Sequence, residues 1–251
     1  MKSASWFLKL VIWLVIIAVV LLAIFYFSFS QYRPWSKANN DWLEQDAQEL
    51  TAANQNAVAQ AEQSVIQPVR PAEQSDHLWG ELSAPIQLIV YTDFDCPFCA
   101  DFQQTLQQVK EKFGEQIVIV YRHYPLASHA QAKLTALAAE CAGDKFLLMA
   151  EKLHELYRNN NNDLANILLA AEALNLDKEE FKKCLLDERY VAKIDQQKQE
   201  AETFGVIGTP TSFLNGMILT GAYQFTDFTD QTGQQYQGLQ SLIEQELKKV
   251  R

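Results

Sequence analysis

Two cysteines three positions apart, in Cys96-Pro97-Phe98-Cys99, are the residues of this 251-residue chain best spaced to do chemistry. Such a pair can close a small disulfide ring and exchange it with an outside thiol, or it can supply half of a tetrahedral zinc site. The surrounding residues discriminate between these. Ile86 to Asp93 is rich in Ile, Val and Tyr and reads as a buried strand. Phe98, Phe102, Leu106, Val109 and Phe113 then recur at three- and four-residue spacing, the apolar stripe of a helix that Gly114 is placed to end. The pair therefore sits where a strand gives way to a helix. Free backbone NH groups and the positive end of the helix dipole stabilise an anion there, so the Cys96 thiolate is favoured and its pKa should fall well below ~8.5. A thiolate, not a thiol, attacks a disulfide sulfur. Cys99, one turn into the helix, can reach back to the same sulfur and is expected to be buried. This divides the labour: Cys96 is the exposed nucleophile and leaving group, Cys99 the resolving thiol. Pro97 suits the first helical turn, where its missing NH costs nothing.

Other uses of these residue types fit less well. Zinc on all four cysteines matches by count only, because Cys141 and Cys184 lack knuckle spacing, and no metal site is expected. A Cys-His nucleophile would need His77, His123, His129 or His154 beside Cys96. His123, at the end of a strand, is the one whose position allows it, and a structural role suits it better. Asp93 and Asp95 resemble paired catalytic carboxylates, but they flank the thiolate and would raise its pKa, so tuning and helix capping are their expected roles. Trp79 and Phe98 read as core, or as a rim facing a substrate.

Charge narrows the partners. The chain has 21 basic and 31 acidic residues, and its first forty residues hold Lys2, Lys9, Arg33 and Lys37 but no acid. So acidic a remainder has no Lys/Arg cluster for a phosphate backbone, which argues against nucleic acid. At 48% hydrophobic residues the chain is not disordered overall.

The elements that must position the pair follow in order. Residues 1–9 read as a cytoplasmic tail. Leu10 to Phe27 is an unbroken apolar run, and with Ser28 and Phe29 it reaches ~30 Å as a helix, enough to span a bilayer. The competing reading, a cleaved signal peptide, has an apolar region of only ~7 to 15 residues. Residues 30–74 read as a polar helical stalk, or less readily an oligomerising helix, with Leu43, Ala47, Leu50, Ala57 and Ala61 at helical spacing and Pro68 and Pro71 ending it. The folded domain is expected over 75–251. It opens with a short strand, His77 to Trp79, and the strand and helix described above lead to a second long strand, Ile117 to His123, making a parallel unit with the helix start at the sheet's carboxyl edge. About 128–204 is helical in pattern, with starts at Ser128, Asp144, Asp163 and Asp177, the last with Glu180 as a capping box, and stops at Gly143 and Gly205. Thr211 to Leu214 and Met217 to Thr220 form a hairpin about Asn215-Gly216, and Gln235 to Val250 reads as a closing helix. The helical block is too long for a loop and reads as an insertion covering the sheet.

Four stretches carry a resemblance to a known family: Tyr91 to Cys99, Tyr121 to Leu126, Ala138 to Gly143, and Gly208-Thr209-Pro210-Thr211 before the hairpin. Together, over about Asp76 to Val250, the chain resembles DsbA-type thiol:disulfide oxidoreductases of the thioredoxin superfamily. The resemblance implies an α/β, thioredoxin-like fold with an inserted helical domain, here preceded by a transmembrane helix and stalk. It makes Cys96 and Cys99 the redox pair and Pro210 a cis proline facing it. Thr209 becomes the residue whose backbone pairs with an extended substrate, next to Phe98. Phe98 stands where the most oxidising members carry a histidine. Val90 stands where a buried acid often relays protons, so Cys99 would need another group, water or Asp93. Cys141 and Cys184 are then either a structural disulfide tying two helices, as in many membrane-anchored relatives, or two buried small hydrophobes.

The expected function is disulfide formation or exchange in unfolded or exported proteins with cysteines. The catalytic domain would lie outside the cytoplasm on a single-pass anchor, where disulfides survive. No dissociable cofactor is needed, and a quinone-linked membrane thiol oxidase is the partner the resemblance implies. An isomerase or reductase of the same fold is the alternative within the class, and a tethered peptide-binding chaperone the alternative outside it.

Overall fold

The computed structural model describes residues 13, 17–30, 68–229 and 233–250. The chain forms two compact units, 1–65 and 66–251. In the first, residues 17–30 form helix α1, whose side chains are exposed, Phe25, Phe27 and Phe29 among them. No helix among the described residues is long and apolar enough to cross a membrane. The rest of the expected span, the tail and most of the stalk lie outside the described residues.

The second unit is built on a five-stranded sheet of order β1-β3-β2-β4-β5. The strands are β1 (His77–Trp79), β2 (Ile86–Thr92), β3 (Ile117–His123), β4 (Thr211–Leu214) and β5 (Met217–Thr220). β2 and β3 are parallel, the other pairs antiparallel, and both central strands are almost wholly buried, which is why they read as continuous apolar runs. Helix α2 (Pro97–Phe113) crosses from β2 to β3, burying Phe102, Leu106, Val109 and Phe113 against Ile86, Leu88 and Val90. Gly114 ends it at φ 52°, its NH bonded to the Lys110 carbonyl. Phe98 leaves the expected stripe: the first turn of α2 stands at the sheet's edge, and that ring is 62% exposed.

Between β3 and β4 come α3 (Ala132–Cys141), α4 (Phe146–Arg158), α5 (Leu164–Ala173), α6 (Lys178–Leu186) and α7 (Val191–Thr203), the expected helical insertion. α4 packs along α2, while α7 begins in that same core at Ile194 and ends on the sheet's opposite face, where Ala201 and Phe204 meet Ile89, Tyr91, Val118 and Val120. A small hairpin, β6 (Phe228–Thr229) and β7 (Gln235–Tyr236), precedes α8 (Leu239–Lys249).

Packing of the domain begins earlier than residue 75. Arg122, buried on β3, donates to the carbonyls of Arg70 and Pro71, both at 2.9 Å, and binds Asp76 through two nitrogens at 3.0 and 2.8 Å. One guanidinium thereby ties the entering segment to the sheet.

Candidate active site

The antiparallel register of β2 and β4 brings the two distant motifs together. Tyr91 lies opposite Thr211, so the residues leading into β4 run beside those leaving β2. Cys96 Sγ is 3.5 Å from the Thr209 carbonyl oxygen, across 113 residues of sequence, and the Thr209-Pro210 peptide is cis. Cys96 is itself the N-cap of α2, in extended conformation with no side chain capping the helix, and Pro97 follows in the first turn. The NH groups of that turn are left to the sulfur.

Cys96 and Cys99 are both free thiols, and they hold their protons differently. Cys96 is lowered from 9.0 to about 6, first by the hydrogen bond from the Cys99 thiol, with burial opposing; Thr209 and the NH groups of Cys99 and Phe98 add smaller help. Cys99 goes the other way: burial, then the hydrogen bond and charge of Cys96, push it well above the thiol range. At neutral pH the pair thus carries one anion, on Cys96. The helix start contributes as expected, but the neighbouring thiol contributes more.

Other expectations need correction. Cys96 is only 2% exposed, so the nucleophile is recessed, while Pro97 and Phe98 beside it are open to solvent. Asp93 and Asp95 do not cap α2. Asp93 accepts from the Asp95 and Leu126 NH groups and from His129 Nδ1 at 2.8–2.9 Å, and its own NH reaches Cys99 Sγ at 3.5 Å. Asp95 accepts from the Gln131 NH and from Asn162 Nδ2. Both carboxylates staple later loops to the pair. His123 bonds Glu140 at 2.9 Å instead of a cysteine, and His77 and Lys193 bond the same carboxylate, each also at 2.9 Å. Against burial, which would raise it, the hydrogen bonds from His123 and His77 hold Glu140 well below the carboxylate range. Among the described residues no cluster of three or more His, Cys, Asp or Glu could hold a metal ion.

Cys141 and Cys184 are bonded to each other, joining α3 to α6. Because their separation is 43 residues, chain entropy sets the expected stabilisation at ~4 kcal/mol. Replacing both by serine should lower the unfolding free energy by about that amount, read from urea unfolding in a chain whose Cys96 and Cys99 are also serine. A loss below ~1 kcal/mol would remove the bridge from any account of stability.

Sequence reasoning missed Gln103 on α2 and Ser212 on β4, and weighed His154 on α4 only as a partner for a Cys96 nucleophile; all three are buried. Periodicity assigns such positions to the core without asking what their polar atoms bind.

A family model described as thioredoxin matches residues 72–243. Two curated relatives are named as Na(+)/H(+) antiporters. NhaA 1 of Salinispora arenicola is 35% identical over 159 residues, 62% of this chain and 24% of that protein. NhaA 3 of Salinispora tropica is 31% identical over 176 residues, 68% and 26%. The chain thus spans about a quarter of the length of these relatives. Among solved structures, oxidised BdbD from Bacillus subtilis superimposes with a TM-score of 0.59 at 19% identity, covering 72% of this chain and 97% of that one. Alpha-DsbA1 from Wolbachia pipientis does so with a TM-score of 0.56 at 20% identity, covering 71% and 94%. At these identities the likeness is one of fold. With the family match extending over most of the chain, and with the sheet order, helix placement and cysteine pair described above, this chain belongs to the thioredoxin family.

Proposed function

We propose that the chain is a thiol:disulfide oxidoreductase for protein cysteines, working outside the cytoplasm from a membrane anchor. The observation that carries this reading is the unequal pair: Cys96 lowered to about 6 and Cys99 raised well above the thiol range. A client thiolate attacks Cys96 Sγ of the oxidised pair. The client-Cys96 bond forms as the Cys96-Cys99 bond breaks, and Cys99 leaves with the electron pair and takes a proton. A second client thiolate then attacks the client sulfur, and Cys96 leaves as a stable thiolate, which speeds the step because low-pKa thiols are good leaving groups. The backbone at Thr209 and Pro210 would hold an extended client against the pair, with Phe98 as its apolar contact.

Two electrons stay on the reduced pair, so a partner must remove them; a quinone-linked membrane thiol oxidase fits that need. The Cys141–Cys184 bridge favours an oxidising compartment. Anchoring is supported by the apolar run from Leu10, by the exposed apolar side chains of α1, and by relatives named as antiporters, proteins that move ions across membranes. Antiport is not part of the proposal, since the likeness reaches only a quarter of those proteins.

The test mixes the oxidised chain with a reduced, unfolded polypeptide carrying two cysteines. Stoichiometric transfer of the disulfide is expected, with none from a Cys96→Ser chain. Binding of the polypeptide without transfer would make the domain a chaperone and overturn the reading.

A further inference from the structure

Cys99 sits behind Cys96, is 2% exposed and must take up or give up a proton each time its bond to Cys96 breaks or forms. No carboxylate beside it is free to serve. Asp93, whose own NH reaches Cys99 Sγ, has its carboxylate committed to two backbone NH groups and His129, and Asp95 has its carboxylate committed to the Gln131 NH and Asn162.

On the α2 side of the sheet, toward the end where the redox pair lies, are buried polar atoms with nothing to bond. Among the described residues, Gln103 Nε2, His123 Nδ1, His154 Nδ1, Thr209 Oγ1 and Ser212 Oγ are buried without a hydrogen-bond partner, and Thr209 adjoins the cysteines themselves. Leaving such atoms dry costs ~1–3 kcal/mol each, so two of them set opposite each other call for a polar occupant. Gln103 is one turn beyond Cys99 on the same face of α2. Its Oε1 accepts from Tyr121 Oη at 3.5 Å, leaving the amide nitrogen unused. α4 runs antiparallel to α2: Arg158 Nη1 donates to the Ala100 carbonyl at 2.8 Å, and Gln107 Nε2 to Glu151 at 2.7 Å. Midway between those two bonds, that register sets His154 opposite the turn carrying Gln103. His154 also lies 5.0 Å, centroid to centroid, from Phe94, which precedes the redox pair. Burial first, and then the Arg158 charge, push its imidazole down to about 3, so it stays neutral and its bare nitrogen can accept.

We propose that Gln103 and His154 hold an internal water against Cys99, the amide donating to the water and Nδ1 accepting from it, and that this water passes Cys99 its proton. The inference rests on the oxidoreductase reading of the pair. The step balances: a client thiol gives its proton to solvent and attacks Cys96, the Cys96-Cys99 bond breaks, and Cys99 leaves as a thiolate and gains a proton from the water, which solvent replenishes. The reverse step returns the proton by the same route. Gln103 and His154 are positioning residues; neither touches the client. Of the charged groups here, Arg158 acts on His154, Cys96 acts on Cys99, and Asp95, Cys96 and Asp93 act on Tyr157 of α4.

The experiment follows opening of the Cys96-Cys99 disulfide by reduced glutathione in the oxidised full chain, by acid quench and mass measurement. His154→Leu and Gln103→Leu should each slow opening by on the order of 10²-fold, the scale of assisted proton transfer. His154→Asn, which keeps an acceptor near the Nδ1 position, should recover most of the rate. The pH profile of Cys96 alkylation in the reduced chain should stay at its wild-type midpoint in all three. Unchanged opening rates in both leucine variants would overturn the proposal, as would equal slowing in the asparagine variant or a moved Cys96 midpoint, since these mark a packing role. A wild-type chain that glutathione does not open at all would instead sink the oxidoreductase reading itself.

Discussion

With Cys99 replaced by alanine, Cys96 should titrate above its wild-type midpoint of about 6, and turnover of client disulfides should stop. The hydrogen bond from the Cys99 thiol is the first cause of the low value, ahead of Thr209 and the helix NH groups, so removing it leaves only the weaker helpers against burial. The rate of alkylation gives the reading. At pH 7 a midpoint near 6 leaves ~90% of a thiol ionised, against ~1% for an ordinary one near 9. Intrinsic nucleophilicity falls with pKa, however, and three units lose roughly 15- to 30-fold in attack. The net gain in rate is only a few-fold, so the diagnostic is where iodoacetamide alkylation reaches half its plateau. An upward move in the Cys99→Ala chain assigns the anion to the partner thiol. An unmoved midpoint would assign it to the start of α2. Loss of turnover has a separate cause: without Cys99 there is no internal disulfide to transfer, and multiple-turnover oxidation of a reduced polypeptide should fall to background.

Elements whose reasons are local could be read directly. The β4–β5 hairpin needs positive φ at both turn residues, and Asn215 and Gly216 supply 47° and 89°. Asp163 and Asp177 cap α5 and α6 through the NH groups of Asn166 and Glu180. Elements whose reasons are distant were misplaced. Ser128 starts no helix, because its loop is held by Asp93 and Asp95 through the Leu126 and Gln131 NH groups, and α3 begins only at Ala132. Asp144 falls in a 3-10 turn, Gly143–Lys145, ahead of α4. Gln235 belongs to the small hairpin, and α8 waits for Gly238, whose NH donates to Asp227 at 2.9 Å. The capping box at Asp177 is half made, since the Glu180 carboxylate binds Arg189 instead.

The site divides the same way. Two cysteines at a strand-to-helix junction, and a Gly-Thr-Pro-Thr before a hairpin, carry their chemistry in their spacing. What spacing does not encode is which neighbour stabilises the anion, how recessed the nucleophile is, or that the face of α2 toward α4 is polar beneath Cys99. Those depend on the packing of helices about fifty residues apart in the chain, whose register sets a glutamine and a histidine opposite each other with no local signature. Phe98 shows the converse: its spacing fits the stripe, but the sheet ends before it does.

Arg122→Met should cost about 3 kcal/mol of stability, because it leaves a buried carboxylate with only the half-buried Arg70 at 3.4 Å and the Glu73 NH at 2.9 Å. The Arg122 side chain is 0% exposed and that of Asp76 2%, and the pair is bonded twice. The same guanidinium also satisfies the Arg70 and Pro71 carbonyls and reaches Tyr91 Oη at 3.3 Å, so its loss unties the segment that enters the domain. The dependence on pH has a definite sign. Against burial, which raises it, the Arg122 hydrogen bond and charge hold Asp76 below the ordinary 3.8. A depressed carboxyl adds stability that is full above its unfolded pKa and is lost as the pH falls through its folded one. Wild type should therefore weaken as acid is added below about pH 4, as this carboxylate is forced to take a proton. Arg122→Met should lose part of that slope, because only the Glu73 NH and Arg70 then hold its Asp76 ionised. Asp76→Asn in the Arg122→Met background should return part of the lost stability by removing the stranded charge. Urea midpoints of the three chains at neutral and acid pH check all of this. A single variant costing under ~1 kcal/mol with the acid slope intact would show that the pair is an incidental contact and that the entering segment is held by its apolar packing alone.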